Sequence, residues 1–285
     1  MTKICLFPGQ GSQSKGMGAD LFDRYADWTT QADAVLGYSI RELCVDDPRG
    51  ELGLTQFTQP ALYTVNALTY RARQDGGASA PDFVAGHSLG EYNALQAAGV
   101  FDFATGLRMV QRRGDMMGKV TGGGMAAVIG LEPIRIQEVL SSTEAGRRID
   151  VANFNSYDQT VIAGPKDDLA IVKEQFEAAG VRAYIPLNVS APFHSRYMRD
   201  AQATFAAFLK DIDFNAPAIP VISNVSGKPY EGDLVRQTLS EQIGNSVRWL
   251  ESMVFLLDQA EPEFEEVGPG SVLTKLLAQI KKRRR

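Results

Sequence analysis

Apolar and polar residues follow two different spacings in the first part of the chain. Short apolar runs at 3–7 and 82–85 are typical of buried strands. Apolar residues three and four positions apart predict helices over 17–26, 61–73, 89–100 and 103–120. Pro60 fits the first turn of the helix at 61–73, where no amide donor is needed. Because strands alternate with helices, the pattern predicts an α/β fold with a mostly parallel sheet.

A second arrangement begins after the glycine-rich segment 121–124, which we interpret as a hinge-like break. Its strands and helices follow the order βαββαβ of a ferredoxin-like unit, over 125–130, 134–140, 150–153, 159–163, 167–179 and 182–189. We therefore expect an α/β-hydrolase-like catalytic domain made of 1–123 and 190–285, with a small ferredoxin-like subdomain, 124–189, inserted into it. The cleft between the two is the expected place of the site.

Beyond the insertion, the pattern returns to that of the first part. It predicts helices over 196–210 and 247–257, strands over 219–223 and 263–267, and a C-terminal helix. The chain ends in the basic run 281–285, which we interpret as a solvated edge. The alternative is weak attraction to an acidic protein partner.

Composition excludes several classes of function. The 285 residues are 44% hydrophobic and 22% charged, and the net charge is −5, so no strong basic field favours nucleic acid as a partner. Cys5 and Cys44 form no metal-ligand cluster, and we expect no metal or other cofactor. No apolar run reaches membrane-spanning length, and the chain starts without a secretory signal, so we expect a cytoplasmic enzyme without a membrane partner.

The strand at 82–85 leads into Gly86-His87-Ser88-Leu89-Gly90, which has the G-x-S-x-G frame of a nucleophile elbow. Glycines two residues before and after the serine allow the backbone to turn sharply and expose the hydroxyl. A helix is predicted directly after it, as the motif requires. Ser88 is therefore the candidate nucleophile.

A serine hydroxyl needs a base, and the chain has only two histidines, His87 and His194. His194 lies where the inserted unit returns to the large domain, and it is the favoured base. His87 is the alternative, although a structural hydrogen bond is its expected role. No acid follows Ser88 in a clear motif, so the group that orients the base stays open.

Two backbone amides are candidates for an oxyanion hole. One belongs to Leu89, just after the nucleophile, and the other to Gln10 in the Gly9-Gln10-Gly11 loop after the first strand. The same loop could be interpreted as a phosphate loop. It lacks both the Lys-Ser/Thr of a Walker motif and the G-x-G-x-x-G spacing, which disfavours a nucleotide.

Arg113 lies on the apolar side of the helix over 103–120, whereas its neighbour Arg112 lies on the solvated side. A guanidinium in apolar surroundings is costly unless an anion pairs with it. That anion could be an internal Asp or Glu, or it could be the carboxylate of a substrate held bidentately. Helix phase alone leaves both interpretations open.

These motifs together resemble those of malonyl-CoA:acyl-carrier-protein transacylases and of the acyltransferase domains of polyketide synthases, and the resemblance covers nearly the whole chain. The motifs are Gly9-Gln10-Gly11-Ser12-Gln13, Thr58-Gln59-Pro60-Ala61, Gly86-His87-Ser88-Leu89-Gly90-Glu91, Arg112-Arg113-Gly114, Phe193-His194-Ser195 and Val267-Gly268-Pro269-Gly270. A discrete chain of this kind resembles the free-standing, trans-acting enzymes of fatty acid or polyketide synthesis.

The resemblance implies a role for each matching residue. Ser88 would be acylated, His194 would be its base, and the amides of Gln10 and Leu89 would form the oxyanion hole. Arg113 would bind the malonyl carboxylate. The backbone carbonyl of Gln242 would orient the histidine, which explains the missing acid. Gln59 and Phe193 would line the substrate cleft, and we expect His87 to line it as well.

Phe193 resembles the malonyl-selecting form of the family, because phenylalanine crowds the space that an α-methyl group would need. Methylmalonyl-type enzymes have serine there. Some free-standing fatty-acid enzymes also have serine at this position, so Phe193 favours polyketide-type relatives.

The implied reaction is ping-pong transfer of malonyl from malonyl-CoA, through Ser88, to the phosphopantetheine thiol of an acyl carrier protein. Two alternatives remain. A hydrolase acting on acyl carrier proteins would use the same serine and histidine, but such relatives typically lack the arginine. A catalytically silent docking domain would not need an intact Ser88 and His194.

Overall fold

The computed structural model describes residues 1–189, 191–232 and 234–284. Its strands are β1 (Thr2–Phe7), β2 (Phe83–Gly86), β3 (Gly123–Ile129), β4 (Asp150–Ser156), β5 (Gln159–Pro165), β6 (Ala183–Pro186), β7 (Val221–Ile222) and β8 (Pro262–Glu266). Its first helices are α1 (Ala19–Phe22), α2 (Ala26–Leu36), α3 (Ile40–Val45), α4 (Thr55–Asp75), α5 (Gly90–Ala97), α6 (Phe103–Gly118) and α7 (Pro133–Ser142). The others are α8 (Glu144–Arg147), α9 (Lys166–Ala178), α10 (Arg199–Leu209), α11 (Val235–Gln242), α12 (Trp249–Leu257) and α13 (Val272–Arg284). The predicted domain boundary at 190 and the last basic residue, Arg285, fall outside the described residues.

Four strands form a parallel sheet in the order β7-β2-β1-β8. Successive residues of β1 face opposite sides, so Cys5 and Phe7 enter one apolar core while Ile4 and Leu6 enter another. Helices cover both faces, as a parallel sheet requires. The predicted α/β fold with a parallel sheet is confirmed.

The other four strands form an antiparallel sheet in the order β4-β5-β3-β6. One face packs on α7 and α9 through a small core that includes Val128, Ile136 and Phe176. The opposite face presents Met125 and Ala127 toward the parallel-sheet body. A cleft therefore opens between the two sheets.

Main-chain hydrogen bonds join the two bodies at one end of this cleft. The amide of Phe154 in β4 donates to the carbonyl of Val247 at 2.9 Å, and the amide of Val247 donates to the carbonyl of Ala152 at 2.8 Å. Arg283 of α13 adds ion pairs to Glu132 at 3.1 Å and Asp158 at 3.0 Å. The basic C-terminal run therefore bonds partly to acidic groups of the antiparallel-sheet body.

Two predicted helices near the N-terminus had wrong boundaries. The helix expected over 17–26 is only the short α1, and the longer α2 follows it. α1 begins after Gly18 because Gly16 and Gly18 have left-handed φ values of 91° and 72°. The helix expected over 61–73 begins at Thr55, so Pro60 lies inside α4 and not in its first turn. Local propensity missed this start because the turn containing Thr58 and Gln59 is buried against the rest of the body.

The hinge-like break expected at 121–124 is also partly wrong, since Gly123 and Gly124 belong to β3. A Cβ atom on Gly123 would lie 2.4 Å from Pro192, so close packing, and not flexibility, accounts for the glycine. The sequence pattern missed α3, α8 and α11. Within the described ranges, no helix has the length and apolarity needed to cross a bilayer.

Candidate active site

Ser88 lies at a sharp turn between β2 and α5, where its φ of 50° is left-handed. Such a backbone is strained for a side chain larger than glycine and persists only when its surroundings hold it. The turn brings Gly86 against Gly90: a Cβ on Gly86 would lie 1.9 Å from the carbonyl carbon of Gly90. The glycines of the motif are therefore required by close contact across the turn.

The hydroxyl of Ser88 meets His194 across the cleft, with 2.8 Å between Oγ and Nε2. His194 also has a left-handed φ, 57°, and its ring is buried. Its Nδ1 lies 2.9 Å from the carbonyl oxygen of Gln242 and 3.2 Å from that of Asn245. Because carbonyls only accept, Nδ1 carries the proton and Nε2 is free to accept one from Ser88.

Burial and the neighbouring charge of Arg113 lower the pKa of His194 to about 3. The imidazole is therefore neutral at pH 7, which is the protonation state a general base needs. Its orientation comes from main-chain carbonyls and not from a carboxylate.

Gln10 and Leu89, whose amides are the candidates for the oxyanion hole, line the same cleft as Ser88. The loop after β1 approaches the elbow so closely that a Cβ on Gly9 would lie 2.3 Å from the carbonyl oxygen of His87. Within the described part of the chain, neither amide donates a hydrogen bond. Both are free to donate to an oxyanion formed at Ser88.

Arg113 is buried on α6, and its guanidinium bonds three neutral groups. Nη1 donates to Oε1 of Gln59 at 2.8 Å, while Nη2 donates to Oγ of Ser88 at 3.1 Å and to Oε1 of Gln242 at 3.0 Å. No Asp or Glu among the described residues lies within ion-pair distance of it. Burial lowers the pKa of Arg113, but the group stays charged. The internal ion pair considered as an alternative is therefore not formed.

The cleft above Ser88 has a volume of about 400 Å³. Phe193, Met125 and Val161 contribute to its apolar wall. Its lining includes the cationic side chains of Arg113, deep in the cleft, and Lys275, on an exposed turn of α13, and no carboxylate of the described residues. The cleft suits an elongated molecule with an anion near each end.

His87 lines the cleft, and its ring bonds Asn155 and not Ser88. Its Nε2 lies 2.8 Å from Oδ1 of Asn155 in β4, and its ring meets Trp249 edge-on at 5.3 Å. Burial lowers its pKa, so it is neutral. These contacts join the elbow to the antiparallel sheet and leave His194 as the base in contact with Ser88.

The family of proteins described as "Acyl transferase domain" matches residues 4–283. The chain belongs to this family. It is 53% identical over 277 residues to the polyketide biosynthesis malonyl CoA-acyl carrier protein transacylase BaeC of Bacillus velezensis, covering 97% of this chain and 96% of that protein. It spans only 24% of another relative, the polyketide biosynthesis protein ThaF of Burkholderia thailandensis, at 53% identity over 96% of this chain.

The solved structures agree with the family assignment. The malonyl CoA-acyl carrier protein transacylase from Burkholderia pseudomallei superimposes with a TM-score of 0.95 at 52% identity, over 99% of both chains. A malonyl-transacylase in complex with a type II PKS acyl-carrier protein gives a TM-score of 0.94 at 38% identity, over 99% of this chain and 94% of that one.

This acyl transferase also uses residues that sequence reasoning missed. Asn224 accepts a bond from the amide of Ser88 at 2.7 Å and donates to the carbonyl of Gly86 at 2.7 Å, so it fixes both sides of the elbow. Nothing in the local sequence around Asn224 indicates this role, because it lies 136 residues from Ser88.

The side chain of Gln242 was also missed, although its carbonyl was expected at His194. Its amide bonds Arg113, the carbonyl of Ser88 and the buried carboxylate of Glu91. Glu91 was part of the elbow motif without an assigned role. Burial raises the pKa of Glu91 to about 7, against hydrogen bonds that favour its ionised form.

Proposed function

We propose that this acyl transferase moves a malonyl group from malonyl-CoA to the phosphopantetheine thiol of an acyl carrier protein, through an ester on Ser88. The observation that carries the assignment of the donor is Arg113, a buried cation with only neutral partners, whose Nη2 lies 3.1 Å from Oγ of Ser88. A dicarboxylic half-thioester bound there would place its carboxylate on Arg113 and its thioester carbonyl near Ser88.

In the first half-reaction, Ser88 Oγ attacks the thioester carbonyl while His194 Nε2 takes its proton. The amides of Gln10 and Leu89 stabilise the oxyanion. When the tetrahedral intermediate collapses, the C–S bond breaks and His194 returns the proton to the leaving sulfur of coenzyme A. The malonyl group remains as an ester, with its carboxylate held by Arg113 and Gln59 lying beside it.

In the second half-reaction, the thiol of the carrier's phosphopantetheine gives its proton to His194 Nε2 and attacks the ester carbonyl. The same two amides stabilise the second oxyanion. The C–O bond then breaks, and His194 returns the proton to Ser88. Because both half-reactions use one base and one oxyanion hole, no cofactor takes part in the proposed reaction.

The names of the relatives favour transfer over hydrolysis. Relatives from Bacillus velezensis and Bacillus subtilis, at 53% and 51% identity, are named polyketide biosynthesis transacylases, and one from Escherichia coli, at 42%, is named a malonyl CoA-acyl carrier protein transacylase. We assign this chain to polyketide synthesis, because Phe193 precedes His194 and the more similar relatives carry polyketide names.

The deciding experiment incubates the protein with malonyl-CoA and a holo carrier protein, and quantifies malonyl-carrier and free malonate. Malonyl-carrier should form, and neither the apo carrier nor a Ser88→Ala variant should give it. Release of malonate without an acylated carrier would overturn the proposal in favour of the hydrolase. Mass spectrometry after brief exposure to malonyl-CoA should find one added malonyl group on Ser88, and its absence would favour a silent docking domain.

We further propose that the large body, 1–123 with 190–285, is an α/β-hydrolase-like domain and that 124–189 is a ferredoxin-like subdomain. The parallel order β7-β2-β1-β8 and the nucleophile after β2 support the first description. The antiparallel order β4-β5-β3-β6, with α7 and α9 on one face, supports the second. β3 begins at Gly123, one residue before the proposed boundary. The cytoplasmic location stays a prediction.

A further inference from the structure

Glu91, in the first turn of α5, is a fully buried carboxylate that the proposed mechanism does not use. Every group bonded to it is a donor. Its Oε1 accepts from the hydroxyl of Tyr230 and from the amide of Asn224 at 3.2 Å, and its Oε2 accepts from Nε2 of Gln242 at 2.6 Å. A buried ionised carboxylate is tolerated when it is bonded in this way.

The bond to Glu91 decides which way the amide of Gln242 faces. An amide has one donor end and one acceptor end, and here Nε2 donates both to Glu91 and to the carbonyl of Ser88, at 2.6 Å and 2.8 Å. Oε1 is thereby left to accept from Nη2 of Arg113 at 3.0 Å. The opposite orientation would set Nε2 against the guanidinium, donor against donor.

Gln242 also separates two opposite charges. Arg113 bonds the neutral amide, and Glu91 bonds the far end of the same amide. A carboxylate directly on Arg113 would compete with the substrate for it. The inserted amide holds the guanidinium in place and leaves its charge available to an incoming carboxylate.

We propose that Glu91 is a positioning residue for donor specificity: it locks the Gln242 amide in the orientation that holds Arg113 ready for a substrate carboxylate. This inference rests on the proposed function, because it deepens the role of Arg113 in selecting a malonyl donor. It assigns the acid of the elbow motif to substrate choice and not to the activation of His194, whose Nδ1 bonds only carbonyls among the described residues.

The test is Glu91→Gln, assayed at pH 8 by the rate of Ser88 acylation with malonyl-CoA and with acetyl-CoA. A glutamine that accepts from Tyr230 and Asn224 turns its own amino group toward Nε2 of Gln242. Two donors then face each other, and this repulsion is removed only when the Gln242 amide turns over, which sets its donor end against Arg113. We expect the malonyl KM to rise about tenfold or more, with acetyl kcat/KM changed less than about threefold.

Other outcomes would overturn the proposal. If Glu91 acted only as a charge near Arg113, its neutralisation would lower the malonyl KM. If it were only structural, both donors would lose activity equally. Glu91→Asp keeps the charge but withdraws the carboxylate from Gln242 by one methylene, so it should show the same malonyl-selective loss. This variant replaces Glu91→Gln in the test if Glu91→Gln does not fold.

Tyr230→Phe is the matched control, because it removes one donor from Glu91 but leaves its bond to Gln242. Its malonyl KM should change less than about threefold. Failure of the proposed function is distinguishable from failure of this inference, because the unchanged protein would then give no malonyl-carrier. If only the inference fails, the unchanged protein still forms malonyl-carrier, but Glu91→Gln affects the malonyl and acetyl donors to the same extent.

Discussion

The two sides of the active site are held in place by different parts of the chain. On the nucleophile side, the backbone does most of the positioning: Ser88 and His194 lie at left-handed turns, main-chain carbonyls orient the imidazole, and the side chain of Asn224 adds bonds to the elbow. On the carboxylate side, side chains do the positioning, because the guanidinium of Arg113 donates hydrogen bonds to the side-chain amides of Gln59 and Gln242.

This difference separates reactivity from selectivity. Backbone geometry tolerates many substitutions nearby as long as the fold persists, so the acyl-transfer chemistry is robust. A network of side-chain amides depends on each donor and acceptor end, so the choice of acyl group is sensitive to single substitutions. Changes on the first side should therefore affect every donor equally, whereas changes on the second should affect malonyl most.

The largest loss should come from the nucleophile side. His194→Ala removes the base, and the acylation of Ser88 should slow by about 10⁴-fold or more for malonyl and acetyl donors alike. Mass spectrometry of the acylated protein measures it. Asn245→Ala, which keeps the main-chain carbonyl near Nδ1, is the matched control and should retain most of the rate. A loss for His194→Ala confined to malonyl would contradict the separation of the two sides.

The next effect is that of Arg113→Ala on the malonyl donor. Truncating a charge that pairs with a desolvated carboxylate costs about 2–5 kcal/mol, and we expect a loss of that size in malonyl kcat/KM with a much smaller loss for acetyl. Arg112→Ala is the control, since this neighbouring arginine is exposed. Equal losses for both donors would remove Arg113 from carboxylate binding.

The pH dependence of stability isolates the burial of His194. Its pKa is about 3 in the folded protein and 6.5 as the reference value, so the unfolded chain takes up a proton below pH 6.5 that the folded one refuses. Stability therefore falls as the pH drops through this window, and between pH 7 and pH 4.5 His194 alone should cost about 2–3 kcal/mol. In urea unfolding, the free energy of unfolding of His194→Gln should fall between pH 7 and pH 4.5 by about 2–3 kcal/mol less than that of the unchanged protein. An identical fall in both proteins would contradict the low pKa of His194.

A smaller change is expected at the apolar wall. Phe193→Ser opens space beside Ser88 for an α-methyl group, and one methyl group is worth about 1–3 kcal/mol of discrimination. The ratio of methylmalonyl to malonyl transfer should rise accordingly in a competition assay. Ile185→Ser, an exposed substitution on β6, should leave the ratio unchanged. An unaltered ratio in Phe193→Ser would show that another residue excludes the methyl group.

The smallest effect should be at the mouth of the cleft. Lys275 lines the cleft on its exposed side, and we predict that it attracts the phosphates of coenzyme A by about 1 kcal/mol or less, because exposed ion pairs are weak. Lys275→Ala should raise the KM for malonyl-CoA a few-fold but leave a malonyl thioester of N-acetylcysteamine, which has no phosphate, unaffected. Lys282→Ala on the same helix is the control. Added salt should reduce the difference.

The difference between local backbone features and long-range side-chain contacts also explains which parts of the site could be predicted from the sequence. The elbow is a local motif, and its glycines and following helix could be predicted because they act within five residues. The parallel sheet followed from the alternation of strands and helices. The neutral side-chain partners of Arg113 could not be predicted from helix phase, which indicates that a residue is buried but not what it meets.

Long-range contacts account for what was missed. Asn224 holds the backbone of Ser88 from 136 residues away, and the amide of Gln242 reaches Glu91 across 151. The early start of α4 depends on burial of its first turns against other helices and not on local capping, since Leu54 gives no side-chain cap. Tertiary packing decided each of these features.

The main-chain bonds between β4 and Val247 hold the two sheets at a fixed distance where they meet, so the cleft has a set width there. Because they join backbone to backbone, these two bonds do not depend on which side chains line the cleft. The shape and volume of the cleft are then set by the side chains that line it. Substitutions of the lining side chains could therefore admit other acyl donors while the main-chain bonds between β4 and Val247 stay unchanged.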